Sequence, residues 1–246
     1  MKRLLISLLL ALAFCRGTEA QGRIYTTNFA LNENPISEGG NWINGQAAGI
    51  DWKDMRVFGG LVFGTQSGLG GPPYDDSTAV LAGPWGPDQT VQATVHTVNQ
   101  QTNPIFEEVE IRLRTTITPH DSRGYEIMWR VNHDGSQYHQ IGGGLGPINQ
   151  NIPAIVDLRS QDGYRGIYDG DVVKATIIGN VIRSYINNVQ IAQVTDNTFT
   201  SGSPGVGHWL RGPAGMIGDY GFTSFTASDG QLPQPPAAPT NLRVIQ

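Results

Sequence analysis

The sequence predicts an all-β fold, a sandwich of two antiparallel sheets, and three observations carry that prediction. Apolar residues recur at every second position in short blocks. Gly, Pro, Asn and Asp separate the blocks, with 32 glycines and 15 prolines in 246 residues. No stretch repeats its apolar residues at the 3.6-residue spacing of a helix. Many short strands with turns at this spacing pack as two facing sheets.

Taken in order, strands are expected near 24–30, 56–64, 77–82, 90–98, 106–117, 124–132, 137–142, 153–158, 171–178, 181–187, 189–195, 205–210 and 219–227. Two tight hairpins are explicit. Gly179-Asn180 lies between Ile178 and Val181, and Asn187-Asn188 between Ile186 and Val189, each a two-residue turn signal between alternating strands. No internal repeat is present.

The ends differ in composition. Lys2 and Arg3 precede an apolar run from Leu4 to Phe14, and Thr18-Glu19-Ala20 ends on a small residue. This is a signal-peptide pattern over residues 1–20, with cleavage expected after Ala20 and a secreted or periplasmic product. The run is too short to span a bilayer. Cys15 follows Phe14, where a lipid-attachment site needs a small residue. Since Cys15 is the only cysteine, the mature chain is exported without disulfides and must rely on its core. The domain proper is expected over 21–230. Residues 231–239 are Pro-rich and favour polyproline II, and 240–246 read as one strand that cannot fold alone; a disordered tail is expected, with a truncated tandem unit or a docking peptide as the alternatives.

The formal net charge is −5, and the leader removes three cations against one anion. An acidic chain without basic runs argues against nucleic acid and against membrane insertion as partners. No Cys/His cluster points to zinc and no Gly-Lys-Ser/Thr element to a nucleotide, so no cofactor is expected.

The most informative stretch is a pair of neighbouring strands. In 106–114, Val109, Ile111 and Leu113 alternate with Glu108, Glu110, Arg112 and Arg114. In 124–132, Tyr125, Ile127, Trp129 and Val131 alternate with Glu126, Met128, Arg130 and Asn132. Paired as a hairpin, they present an apolar back and a charged, half-exposed front. Same-face partners then sum to 240, placing Arg114 by Glu126 and Glu110 by Arg130, or to 238, placing Arg112 by Glu126 and Glu108 by Arg130. Either register joins opposite charges at ~0.2–1 kcal/mol per pair. On an exported protein such a front suits a glycan, whose hydroxyls pair with carboxylate and guanidinium groups. Tyr138 and His139 sit on the next strand. Trp85 and Trp209, each between Gly and Pro residues, are either open faces for a sugar ring or plugs at the sandwich ends. Trp129 is expected in the core, and Trp42 and Trp52 packed.

The block Gly170-Asp171-Val172-Val173-Lys174-Ala175-Thr176, then Gly179-Asn180, Ser184-Tyr185-Ile186-Asn187-Asn188 and Phe199-Thr200-Ser201-Gly202-Ser203-Pro204-Gly205-Val206-Gly207, resembles the concanavalin A-like lectin/glucanase superfamily. The likeness is to the LamG-like jelly rolls of secreted bacterial proteins. Asn28-Phe29 and Gly39-Gly40-Asn41-Trp42 are similar to that family's first strand, with Asn28 where an acidic residue is usual. The resemblance spans about Tyr25 to Asp229. It implies a jelly roll and a structural Ca²⁺ as an option, near Asp75-Asp76 or the loop from Asp162 to Asp171. Such folds host lectins and enzymes alike.

Glycanases of this superfamily carry two acids on one strand, in Glu-x-Asp-x-Glu or Glu-x-Asp-x-x-Glu. Here Glu108-x-Glu110 is followed by Arg112 or Leu113, neither of which is an acid. The expected function is therefore a secreted, lectin-like, non-catalytic module for a polysaccharide or glycoconjugate. Its ligand would lie against Trp85, Glu108, Glu110, Arg112, Arg114, Glu126, Arg130, Tyr138, His139 and Trp209. The alternative is a polysaccharide lyase or atypical glycoside hydrolase on the same face. A structural or adhesive cell-surface protein is the third reading.

Overall fold

A computed structural model describes residues 22–49, 52–68, 75–143, 146–147 and 154–230. The expected leader (1–20) and Pro-rich tail (231–246) lie outside them. The described residues form fifteen strands: β1 Ile24–Thr27, β2 Trp42–Asn44, β3 Met55–Phe58, β4 Leu61–Gly64, β5 Ser77–Leu81, β6 Gln89–Thr97, β7 Phe106–Thr118, β8 Asp121–Arg130, β9 Tyr138–Gly143, β10 Ala154–Arg159, β11 Val172–Ile178, β12 Val181–Ile186, β13 Val189–Thr195, β14 Ser203–Arg211 and β15 Tyr220–Ser228. The helical elements described are two single turns of 3₁₀ helix, at Ser160–Asp162 and Ala214–Met216. No described helix is long and apolar enough to cross a membrane.

The first sheet runs β13-β12-β11-β6-β15-β4-β3, with β1 also on β15. The second runs β10-β9-β8-β7-β14-β5-β2. Every strand pairing within them is antiparallel. The expected strand at 56–64 is a hairpin, because Gly59 and Gly60 both take positive φ and reverse the chain. The strand β2 was not foreseen: three residues are too few to show a period. Both expected hairpin turns are present, with Gly179, Asn187 and Asn188 in left-handed conformations.

The inner faces meet in one core. The second sheet contributes Val109, Ile111, Leu113, Ile127, Trp129 and Val206, and the first contributes Val91, Val95, Val173, Ile177, Phe222 and Phe225. Each such aliphatic or aromatic side chain contributes about 1.5–3 kcal/mol on burial. In the first sheet burial follows the sequence alternation: β6 reads buried and half-buried by turns from Gln89 to Thr97. In the second it does not. From Glu107 to Thr115 every residue of β7 is buried, polar positions included. A face expected to meet water is covered.

Candidate functional site

The second sheet's polar face is built in rows that cross the strands. One row is Trp209, Glu108 and Arg130 on β14, β7 and β8, continued by Tyr138 on β9 and Arg159 on β10. The next is Thr78, Gly207, Glu110, Met128, Gln140 and Asp157. The third is Val80, Gly205, Arg112, Glu126 and Gly142. Of the two registers the sequence allowed, the one summing to 238 is formed, so Arg112 faces Glu126 and Glu108 faces Arg130.

Arg112 is the hub. Its Nη2 lies 2.6 Å from Glu110 Oε2 and 3.9 Å from Asp76 Oδ2, and its Nη1 meets Glu126 Oε1. All four side chains are at most 1% exposed. Trp52 lies over the guanidinium, its ring centroid 5.5 Å from the Arg112 guanidinium carbon. It is held there because Trp52 Nε1 donates to Gly146 O at 3.1 Å. Asp76 arrives one residue before β5, in phase with Thr78 and Val80. Its carbonyl accepts from Lys53 N at 2.7 Å. Gly207 makes the close approach possible, since a Cβ there would collide with Glu110 Oε2 and lie 2.7 Å from Arg112 Nη2.

Glu110, Glu126 and Asp76 share this one guanidinium, three acids around one base. Burial pushes the Glu108 carboxyl up to about 7 against the lowering effect of hydrogen bonds with Tyr138 and Glu110. Burial likewise drives Glu110 and Asp76 well above the usual carboxylate range, although Arg112 pulls both down. Burial thus favours the protonated carboxyls on this face, and the Tyr138 hydroxyl donates to Glu108 Oε2.

Three sequence expectations are corrected by the placement of the residues. Arg114 is not on this face. It takes φ +48° at the irregularity between Leu113 and Thr116, which reverses the side-chain phase. Its guanidinium instead donates to the carbonyls of Pro87, Phe199 and Gly179 at 2.6, 3.0 and 2.6 Å, tying loops at one end of the sandwich.

His139 points the other way, into the core. It stacks on Trp129 at 5.0 Å, with Nδ1 2.9 Å from Met128 O and Nε2 2.7 Å from Ser184 Oγ. The carbonyl needs a donor, so Nδ1 carries the proton and Nε2 accepts from the serine. The ring is thus neutral, and burial lowers its pKa to about 4.

Trp85 is a plug, 8% exposed within the core cluster and covered by Arg23 at 4.5 Å. Trp129 and Trp42 are in the core as expected. Trp52 is packed as expected, but on the polar face.

Arg130 reaches away from Glu108. It donates to Asn132 Oδ1 at 2.9 Å, Ile105 O at 2.9 Å and Ser136 O at 3.1 Å, and lies 4.0 Å over the Phe106 ring. Trp209 is half-buried, packs on Phe106 at 5.8 Å, and marks one accessible end of its row. Arg159, 36% exposed and over Tyr138 at 4.9 Å, marks the other. Gln140 and Arg159 were missed in the sequence because no charge pattern ties them to β7. The phase of β9 after Tyr138 was the available signal for Gln140.

Calcium takes a cage of six to eight oxygens. The Asp76–Glu110–Glu126 oxygens lie within 4.8 Å of one another but already enclose a guanidinium. In the other expected loop, Asp171 accepts from Arg165, Tyr168 N and Asn187, and Asp169 from Thr97 N. Neither set fits a calcium cage.

No protein-family profile and no curated protein matches this chain. Solved structures do. The carbohydrate-binding module CBM66 from Bacillus subtilis is 15% identical, with a TM-score of 0.50 over 78% of this chain and 93% of that one. The carbohydrate recognition domain of Emp47p is 12% identical, with a TM-score of 0.51 over 87% of this chain and 100% of the other. That of Emp46p is 11% identical, with a TM-score of 0.50 over 85% and 100%. At these identities the likeness shows the fold alone, an all-β jelly roll of two antiparallel sheets, as the sequence implied.

Proposed function

We propose that this jelly roll is a secreted, non-catalytic binding protein for a polysaccharide or glycoconjugate, and that the ligand bears on the accessible ends, Trp209 and Arg159, of one row on the second sheet's polar face. One observation carries the reading. The row Trp209–Glu108–Arg130–Tyr138–Arg159 crosses five adjacent strands, roughly 19 Å at the usual strand spacing. A half-buried indole stands at one end and an accessible guanidinium at the other. An aromatic face and planar charged groups are the complements of a sugar's C–H face and hydroxyls. The fold's likeness to carbohydrate-binding domains agrees with this.

The carboxylates argue for binding over hydrolysis. Glycosidases place two carboxyl groups about 5–9.5 Å apart across an open gap. Here Glu108 and Glu110 are 4% and 0% exposed, closed off from a glycosidic bond.

A glycan array run beside reducing-end and unsaturated-product assays tests the proposal. Binding without product is expected. Trp209→Ala should weaken it by about 1–3 kcal/mol, roughly 5- to 150-fold, with a melting temperature within about 2 °C of wild type. Release of reducing ends or unsaturated uronates by the wild-type protein would replace this reading with the enzymatic one.

A further inference from the structure

At one side of the sandwich, among the described residues, both sheets end in open edges, β13 of the first and β10 of the second. Between them runs a groove of about 560 Å³ whose walls include Leu158, Tyr164, Ile186, Val189 and Ile191. Val189 is 67% exposed, more than any other large apolar residue described. An apolar strand edge with unpaired backbone groups invites another strand, and proteins normally cover or charge such edges.

The chain carries a segment suited to that place. Residues 231–239 contain Pro233, Pro235, Pro236 and Pro239, and residues 240–246 then alternate Leu242 and Val244 against Asn241 and Arg243. The reach is right. Ser228 lies in one cross-sheet row with Thr90, Thr176, Arg183 and Gln193, so β13 is four strand spacings away. That is roughly 19 Å across the sheet, with Val189 about 14 Å further along the strand. Nine residues of polyproline II span about 28 Å, enough to cross that diagonal over the first sheet's outer face.

We propose that residues 240–246 dock as an added strand on the open edge of β13, seating Leu242 and Val244 in the groove. Main-chain hydrogen bonds would hold the strand, and the alternate apolar side chains would set its register. The sugar-facing surface is on the other sheet, so the two sites are separate.

Cysteine pairs test this in the full chain with Cys15→Ser. Val189→Cys with Leu242→Cys should oxidise to an intramolecular disulfide. Phe58→Cys with Leu242→Cys is the control: Phe58 is 60% exposed on β3 at the opposite edge, only two strands beyond β15 and within the same reach. Equal cross-linking of the two pairs, or none, overturns the proposal. Disulfide-linked dimers overturn it in favour of a second copy. A measurement that leaves the folded domain unaltered uses Leu242→Asp with Val244→Asp. Hydrogen exchange of the β13 amides should accelerate at least tenfold, and unchanged exchange also sinks the proposal.

Discussion

Arg112→Leu lowers the stability of this protein by about 3–5 kcal/mol at pH 8, the usual loss when one partner of a buried ion pair is removed. For a chain of this size that is roughly 10 °C in melting temperature. The reason is local. Arg112 is the cation that the buried carboxylates of Asp76, Glu110 and Glu126 share, beneath Trp52. Without it the carboxyl groups must take up protons, which are scarcer at high pH. The loss should therefore shrink at pH 5. Thermal melts at the two pH values check both parts. A variant that melts within about 2 °C of wild type at pH 8 would show that the guanidinium does not stabilise the cluster. From the sequence alone the same ladder looked half-exposed, with single removals costing about 1 kcal/mol or less. The full burial of Glu110, Arg112 and Arg130 overturns that expectation.

The second large effect is a melting temperature that peaks on the acid side of neutrality and falls toward pH 9. Glu108 has its folded pKa raised from 4.5 to about 7, so its contribution is complete below 4.5 and is lost as pH rises through 7. At about 1.4 kcal/mol per pH unit this one group accounts for about 3 kcal/mol. Burial raises Glu110 and Asp76 as well, and both act in the same direction as Glu108. The histidines act in the opposite direction. Burial lowers His139 to about 4 and His208 to about 3, so their contribution is present above 6.5 and is lost as pH falls toward those values. His208 accepts at Nδ1 from Gln66 and donates from Nε2 to Tyr220 O, which leaves it no place for a second proton. The two sets oppose each other between 4.5 and 6.5, and only the carboxylates act above 7. Melts in steps from pH 4 to 9 read this directly. A flat profile from pH 6 to 9 would mean that the cluster is already ionised, and Glu108→Gln should flatten the part below 7.

Much of this molecule was legible in its sequence, and the reason is geometric. A strand shows alternate side chains to opposite faces, so Val109, Ile111 and Leu113 had to share a face, as did Glu108, Glu110 and Arg112. Gly179-Asn180 and Asn187-Asn188 supply the positive φ that two-residue hairpins require. Fold class, strand order along the chain and the composition of the charged row follow from such local rules. The exceptions are where the local rule itself breaks. At Arg114 a left-handed residue reverses the phase, and nothing in an arginine announces a positive φ.

What only the tertiary structure decided is which of those faces meets water. Alternation separates two faces but does not say what packs on either. Trp52 and Asp76 come from segments far from β7 in sequence, and their arrival turns a surface ladder into a buried network whose carboxyls are pushed toward the protonated form. His139 shows the same limit in reverse: its position on β9 was plain, but its partner Ser184 belongs to the opposite sheet. The sequence by itself determined a two-sheet sandwich with one charged face. Long-range packing, which removes water from chosen side chains and so sets their charge, decided that Trp209 and Arg159 remain open while Arg112 and its carboxylates do not.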